Sequence, residues 1–232
     1  MLIATACVVA CFATIHLFAG RLRFLSVVPR SRWLSMAGGI SVAYVFIHLL
    51  PELAERREHL ERAAGAELTV YIFALIGLIV FYGLERMVKQ AKREHGHGSA
   101  VFWLHIGSFA LYNLLIGYLT LHREVSGPTA LAFYAIAFSL HFLTNDFGLR
   151  QDHAQAYDRQ GRWLLTAAVV LGWVIGIMVD IPPSQIAALF AFLSGGTILN
   201  VLKEELPEER ESRFSAFLTG AAGYTVLLLL AG

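Results

Sequence analysis

Apolar runs of membrane-spanning length recur along the chain, and no other feature of the sequence limits its fold as strongly. They fall at about 2–20, 33–53, 68–87, 101–121, 129–149, 163–179, 184–202 and 214–230, each close to the roughly 20 residues that a helix needs to cross the hydrocarbon layer of a bilayer. A soluble domain of 232 residues, 57% of them hydrophobic and 15% charged, has no core large enough to hide such runs. In lipid every backbone polar group must be satisfied within the protein, which long apolar segments achieve as helices. The sequence therefore predicts an all-α integral membrane protein with eight transmembrane helices. They form a single membrane domain over residues 1–232, whose outer partner is the lipid bilayer.

The segments between the runs are Arg21 to Arg32, Glu55 to Glu67, Lys89 to His97, His122 to Pro128, Arg150 to Arg162, the Pro182-Pro183 turn and Lys203 to Arg213, and all are read as loops. Basic residues resist export and collect on the cytoplasmic side. Of the 18 Lys and Arg, only Arg56, Arg57, Arg62 and Arg123 fall in the second, fourth and sixth loops or beside them. Both termini are therefore expected on the non-cytoplasmic side, and the short loops suit a bacterial inner (plasma) membrane. Residues 2 to 20 lack a basic leader and outrun a usual signal-peptide core, so they are read as the first span. A net charge of +1 leaves no basis for nucleic-acid binding. Cys7 and Cys11, one turn apart in an apolar run, are read as packing residues.

An internal echo is present. Gly38-Gly39 leads into Leu50-Pro51-Glu52, and Gly195-Gly196 leads into Leu206-Pro207-Glu208 at nearly the same spacing. Under the orientation above these two helices run in opposite directions, as an inverted-topology repeat requires. Small residues that open a helix and a proline that closes it are also common punctuation in membrane proteins, and both readings stand at this stage.

Ionisable and amide side chains within a span are costly to bury, which makes each a site candidate. The fourth span carries His105 and Tyr112-Asn113. The fifth carries His141, Thr144, Asn145 and Asp146, and the second ends with His48 and Glu52. His141 and Asn145 are four apart and share a helix face, which offers nitrogen and oxygen to one ion or one proton path. Asn113 lies at similar depth on the neighbouring antiparallel span, so the three converge if those faces meet, and His141, Asn145 and Asp146 taken together favour a functional site. The plain alternative is that the amides hydrogen-bond between helices, for about 0.6 kcal/mol each. His48 and Glu52 form either a cation-gathering mouth or a solvated helix end, the second being the simpler reading. The segment holding His95 and His97 is able to hold a metal weakly, and an ordinary polar loop explains it nearly as well.

Together these features resemble the ZIP (Zrt-, Irt-like) metal transporters over nearly the whole chain. The resemblance rests on eight spans, outward termini, a His-containing loop after the third span, and His48-Leu49-Leu50-Pro51-Glu52 at the end of the second. Gly195-Gly196 with Leu206-Pro207-Glu208 in the seventh adds to it. It implies inverted symmetry between the first and last three helices and a transport site between the fourth and fifth. The family motif on the fourth span, His-Asn-x-x-Asp(or Glu)-Gly, is here Tyr112-Asn113-Leu114-Leu115-Ile116-Gly117. On the fifth, His-Glu-x-Pro-His(or Glu)-Glu is here His141-Phe142-Leu143-Thr144-Asn145-Asp146. The resemblance thus implies Asn113, His141 and Asn145 as ligands with Asp146 behind them, in a single site poor in charge.

Three functions are expected, in descending order. The first is transport of a divalent metal cation, zinc or similar, as cargo and with no resident cofactor. The second is a transport-inactive ZIP-like protein with a sensing, binding or regulatory role. An intramembrane metal hydrolase comes last, because no His-x-x-x-His pair presents two ligands together, so the chain is not expected to be an enzyme. Its membrane faces are compatible with a homodimer.

Overall fold

The computed structural model describes residues 2–21, 32–95, 99–123, 127–205 and 213–231. His97 and Leu206-Pro207-Glu208 lie outside these residues. Among the described residues there are helices and turns but no strand, which makes the protein all-α. α1 is Leu2–Phe18. α2, Arg32–Tyr44, passes through a π turn at Val45–Leu49 into α3, Leu50–Glu55, and α4 comes next at Arg57–Ala64. α5 is Thr69–His95, α6 Ser99–Leu119, and α7 Pro128–Ala156. A second π turn at Tyr157–Gly161 leads to α8, Arg162–Met178; α9 is Pro183–Glu205 and α10 Phe214–Ala231.

Six helical runs among the described residues are long and apolar enough to cross a membrane, and Phe214–Leu230 is a shorter apolar one. Large apolar side chains stay exposed along α5 (Ile72, Leu75, Ile79) and α10 (Leu218, Val226, Leu229). In water such faces would need a cover, whereas hydrocarbon solvates them. The protein is accordingly a helical bundle of membrane character.

Three segments read as loops are helical instead. Residues 57–64 form α4, whose Arg62 donates to Glu58 at 2.8 Å one turn away, and Gly65 ends it in the left-handed conformation at φ 73. Opposite charges at i,i+4 stabilise a helix that hydropathy alone passes over. α5 runs on to His95 and α7 to Ala156, since the charged ends of both helices continue past the apolar stretch. α7 breaks only at His153 (φ −141, ψ 46).

The core forms where α1, α6 and α7 meet, with Phe12, Tyr112, Ile116 and Phe142 wholly buried. A smaller cluster, Phe102, Ile106, Phe109, Leu149, Tyr157 and Leu165, packs near one end. α6 is held against α8 by reciprocal glycines. A Cβ on Gly117 would overlap the carbonyl oxygen of Val169, and one on Gly172 would overlap that of Leu114. Such small-residue contacts let membrane helices approach closely. Gly117 lies one helical turn beyond Asn113, so this contact also sets the depth and rotation of Asn113.

Candidate functional site

Two polar groups sit back to back in the middle of the bundle, because the residues that form them are neighbours in sequence on α6 (Tyr112, Asn113) and on α7 (Asn145, Asp146). Successive helical residues point about 100° apart, so each pair divides between the two groups.

In the first group Asn145 Nδ2 donates to His141 Nε2 at 3.0 Å. The Tyr112 hydroxyl lies 3.0 Å from the same nitrogen and 2.8 Å from Thr197 Oγ1 of α9. Thr144 donates back to the His141 carbonyl at 2.8 Å. All five side chains are buried. Because Nε2 accepts from Asn145, its lone pair is already committed within the protein.

The second group centres on His16 of α1. His16 Nδ1 lies 2.8 Å from Asp146 Oδ2, and Nε2 lies 2.8 Å from Asn113 Oδ1. Asn113 Nδ2 donates to the Phe109 carbonyl at 2.8 Å. That carbonyl only accepts, so the Asn113 amide cannot be reversed, its Oδ1 faces the ring, and Nε2 must carry a proton. A further proton then lies between Nδ1 and Asp146. Phe142 packs on the imidazole with ring centroids 4.8 Å apart. The Tyr157 hydroxyl donates to the His16 carbonyl at 3.3 Å.

Each expected ligand is therefore buried at the centre. His141 and Asn145 meet, whereas Asn113 pairs with His16 and Asp146 rather than with them. By distance and angle Asn145 Oδ1 and Asp146 Oδ1 have no donor, although the Tyr157 hydroxyl stands close to the Asp146 side chain. Buried acceptors without a donor are uncommon, and each costs about 1–3 kcal/mol. Among the described residues no group of three His, Cys, Asp or Glu side chains gathers to hold a metal ion; the mixed set of His16, Asp146 and the two amides is what the chain offers.

A cavity of about 170 Å³ leads from one end of the bundle to Asn145, lined also by Glu85, Lys89, His105, Asp152 and Lys203. Lys203 donates to Glu85 at 2.9 Å and Lys92 to Asp152 at 2.8 Å. His105 lies 3.9 Å from Glu85 and 3.4 Å from His153.

At the other end Glu52 is buried, contrary to its reading as part of a solvated helix end. Arg56, itself 2% exposed, donates to Glu52 at 2.8 Å and to the His122 carbonyl at 2.9 Å, and lies 4.4 Å from the Phe190 ring centre. The π turn at Val45–Leu49 adds a residue to the helix and so rotates the turns beyond it, which brings Glu52 onto the inner face. His48, half-buried, stacks on Tyr44 at 5.3 Å.

His16, Thr197, Glu85 and Arg56 belong to this architecture and were not expected from the sequence. Only His16 carried a signal of its own, as a lone imidazole within an apolar run. Compared with known proteins, the chain matches no family model and no curated sequence.

Proposed function

We propose that the protein is a ZIP-like transporter that crosses the membrane eight times and moves a divalent metal cation, zinc or one of similar chemistry, past Asp146. The observation that carries this reading is the pair of buried oxygens without a donor on consecutive residues, Asn145 Oδ1 and Asp146 Oδ1, beside a polar cavity that Asn145 helps to line. Oxygen acceptors with no donor suit a passing cation, and His16 Nδ1 joins them once the cation displaces the proton that this nitrogen shares with Asp146. His141 then acts as support, holding Asn145 from behind.

Eight crossings are supported by the placement of every apolar run on a helix. The run Pro128–Met178 has 51 residues, about 75 Å at 1.5 Å per residue, enough for two passages. An inverted plan is supported by the paired glycines: Gly39 lies against Phe217 of α10 as Gly195 lies against Ala74 of α5. Exchange of the first three spans with the last three maps one contact onto the other. The distribution of Lys and Arg favours an orientation with both termini outside a bacterial plasma membrane and the Glu85 cavity on the cytoplasmic side. The Glu52–Arg56 pair then closes the outer end while the inner cavity stands open, one half of an alternating-access cycle.

A second reading is a transport-inactive protein of the same fold with a binding or regulatory role. It is favoured by the committed lone pair of His141 and by the absence of a three-ligand cluster among the described residues.

Uptake of zinc, cadmium, iron, manganese and cobalt into liposomes holding the purified protein separates the two. Transport requires saturable uptake that disappears in Asp146→Asn and falls in His141→Ala. If no ion moves, or if Asp146→Asn transports normally, the second reading stands.

A further inference from the structure

Two arginines meet at one end of a helix pair that is locked together. α2 begins at Arg32, and α10 begins just after Arg213. The Arg213 backbone N–H donates to Ser35 Oγ at 3.0 Å, and further along Gly39 abuts Phe217 and Ala221 while Gly220 abuts Met36. The order of these contacts makes the helices parallel, so both N-termini lie at the same end. Between them is a cavity of about 840 Å³ lined by Arg32, Trp33, Met36, Arg213, Ser215 and Thr219. None of its described lining residues is acidic. Trp33 is 61% exposed.

This chemistry selects one class of ligand. Two guanidinium forks recognise phosphate oxygens bidentately, and the positive ends of two parallel helices add to the same field. The volume is far larger than a bare phosphate needs and falls in the range of sites for whole small molecules. Trp33 and Met36 provide apolar surface beside the charge, and an exposed tryptophan at a helix end is placed as interfacial aromatics are. Both helices are apolar beyond this end, so the pocket opens at headgroup depth with acyl chains below it. We propose that it binds the headgroup of an anionic phospholipid, with Arg32 and Arg213 on the phosphate and Trp33 against the glycerol and upper chain. The site is separate from the central polar groups and does not depend on what the protein transports.

The test uses the purified full chain in detergent, given phosphatidylglycerol or phosphatidylcholine with identical chains, and reads retained lipid by native mass spectrometry. Wild type and Arg93→Gln, a control on exposed α5 surface, are expected to retain phosphatidylglycerol about tenfold better, and the double variant Arg32→Gln/Arg213→Gln to lose that preference. Equal retention of the two lipids, a preference that survives the double variant, or displacement by millimolar glycerol phosphate would overturn the proposal. A second measurement leaves both arginines intact: with Trp103, Trp163 and Trp173 changed to Phe, Trp33 fluorescence should be quenched more by brominated phosphatidylglycerol than by brominated phosphatidylcholine. Equal quenching would also overturn it.

Discussion

His16 and Asp146, 130 residues apart in the chain, face each other across 2.8 Å in the centre of the bundle, and each is 1% exposed. The contact joins the first span to the fifth, and Asn113 joins both to the fourth through the other ring nitrogen. One imidazole thus ties three helices together around the only carboxylate found so deep among the described residues.

Truncation of this imidazole is expected to be strongly destabilising. His16→Ala leaves the Asp146 carboxylate and the Asn113 carbonyl without their donors, and loss of one partner of a buried pair costs about 3 kcal/mol. His16→Gln keeps one amide donor and is expected to lose about half as much. Thermal unfolding in detergent distinguishes them; equal stability of the two variants would show that hydrogen bonding at His16 adds nothing beyond packing.

The part of this centre that was legible in the sequence is the part that rests on hydropathy. Asn113, His141, Asn145 and Asp146 stand out because the residues around them are apolar, and all four are buried where that reasoning puts them. Their partners were not legible, because a partner is fixed by helix rotation and depth rather than by local sequence. The reciprocal contact of Gly117 and Gly172 sets the rotation of α6, which turns Asn113 to His16 and Tyr112 to His141. Thr197 passes for an ordinary threonine bonded to its own helix until α9 is placed beside Tyr112. Glu85 lies next to Arg86 at the charged end of a span, where nothing local marks it out, and Lys203 from α9 reaches it. The helical runs were clear from their apolar content, whereas α4 is held by i,i+4 charge pairs, to which hydropathy is blind.

Glu52 and Arg56 form a buried pair that should behave asymmetrically when broken. Arg56→Met removes the guanidinium from the Glu52 carboxylate, which is 5% exposed, and is expected to cost about 3–5 kcal/mol. Glu52→Leu together with Arg56→Met removes both charges and is expected to recover most of that loss. Chemical unfolding of the two single variants and the double variant measures the coupling. Additive losses would mean that the pair does not act as a unit.

The helix contact at Gly117 gives a cleaner comparison. Gly117→Ala inserts a methyl into the Val169 carbonyl, and the backbone there has no room to yield; a loss of about 1–3 kcal/mol is expected. Gly107→Ala lies on the same helix with nothing within 4 Å, and alanine there is expected to be neutral or to stabilise the helix by about 0.5–1 kcal/mol. Melting temperatures of the two variants in one detergent decide this, and the same sign of shift in both would show that the α6–α8 approach is looser than the glycines imply.

The cavity that reaches Asn145 has a sidedness that chemical labelling reads directly. Cys7 and Cys11 are the only cysteines, so a background with both changed to Ser is free of thiols. Gly148 lines the cavity one turn beyond Asn145's neighbour Thr144, and Gly148→Cys places a single thiol in it. Under the proposed orientation, with the basic loops near Lys89 and Lys203 in the cytoplasm, a membrane-impermeant maleimide is expected to label this thiol in inside-out vesicles and not in right-side-out ones. Excess zinc should slow the labelling if the cavity is the cation's inner route, because an ion held at Asn145 and Asp146 shields the position one turn away. Labelling from the outer face instead would reverse the assigned orientation, and labelling indifferent to zinc would separate the cavity from the transport path.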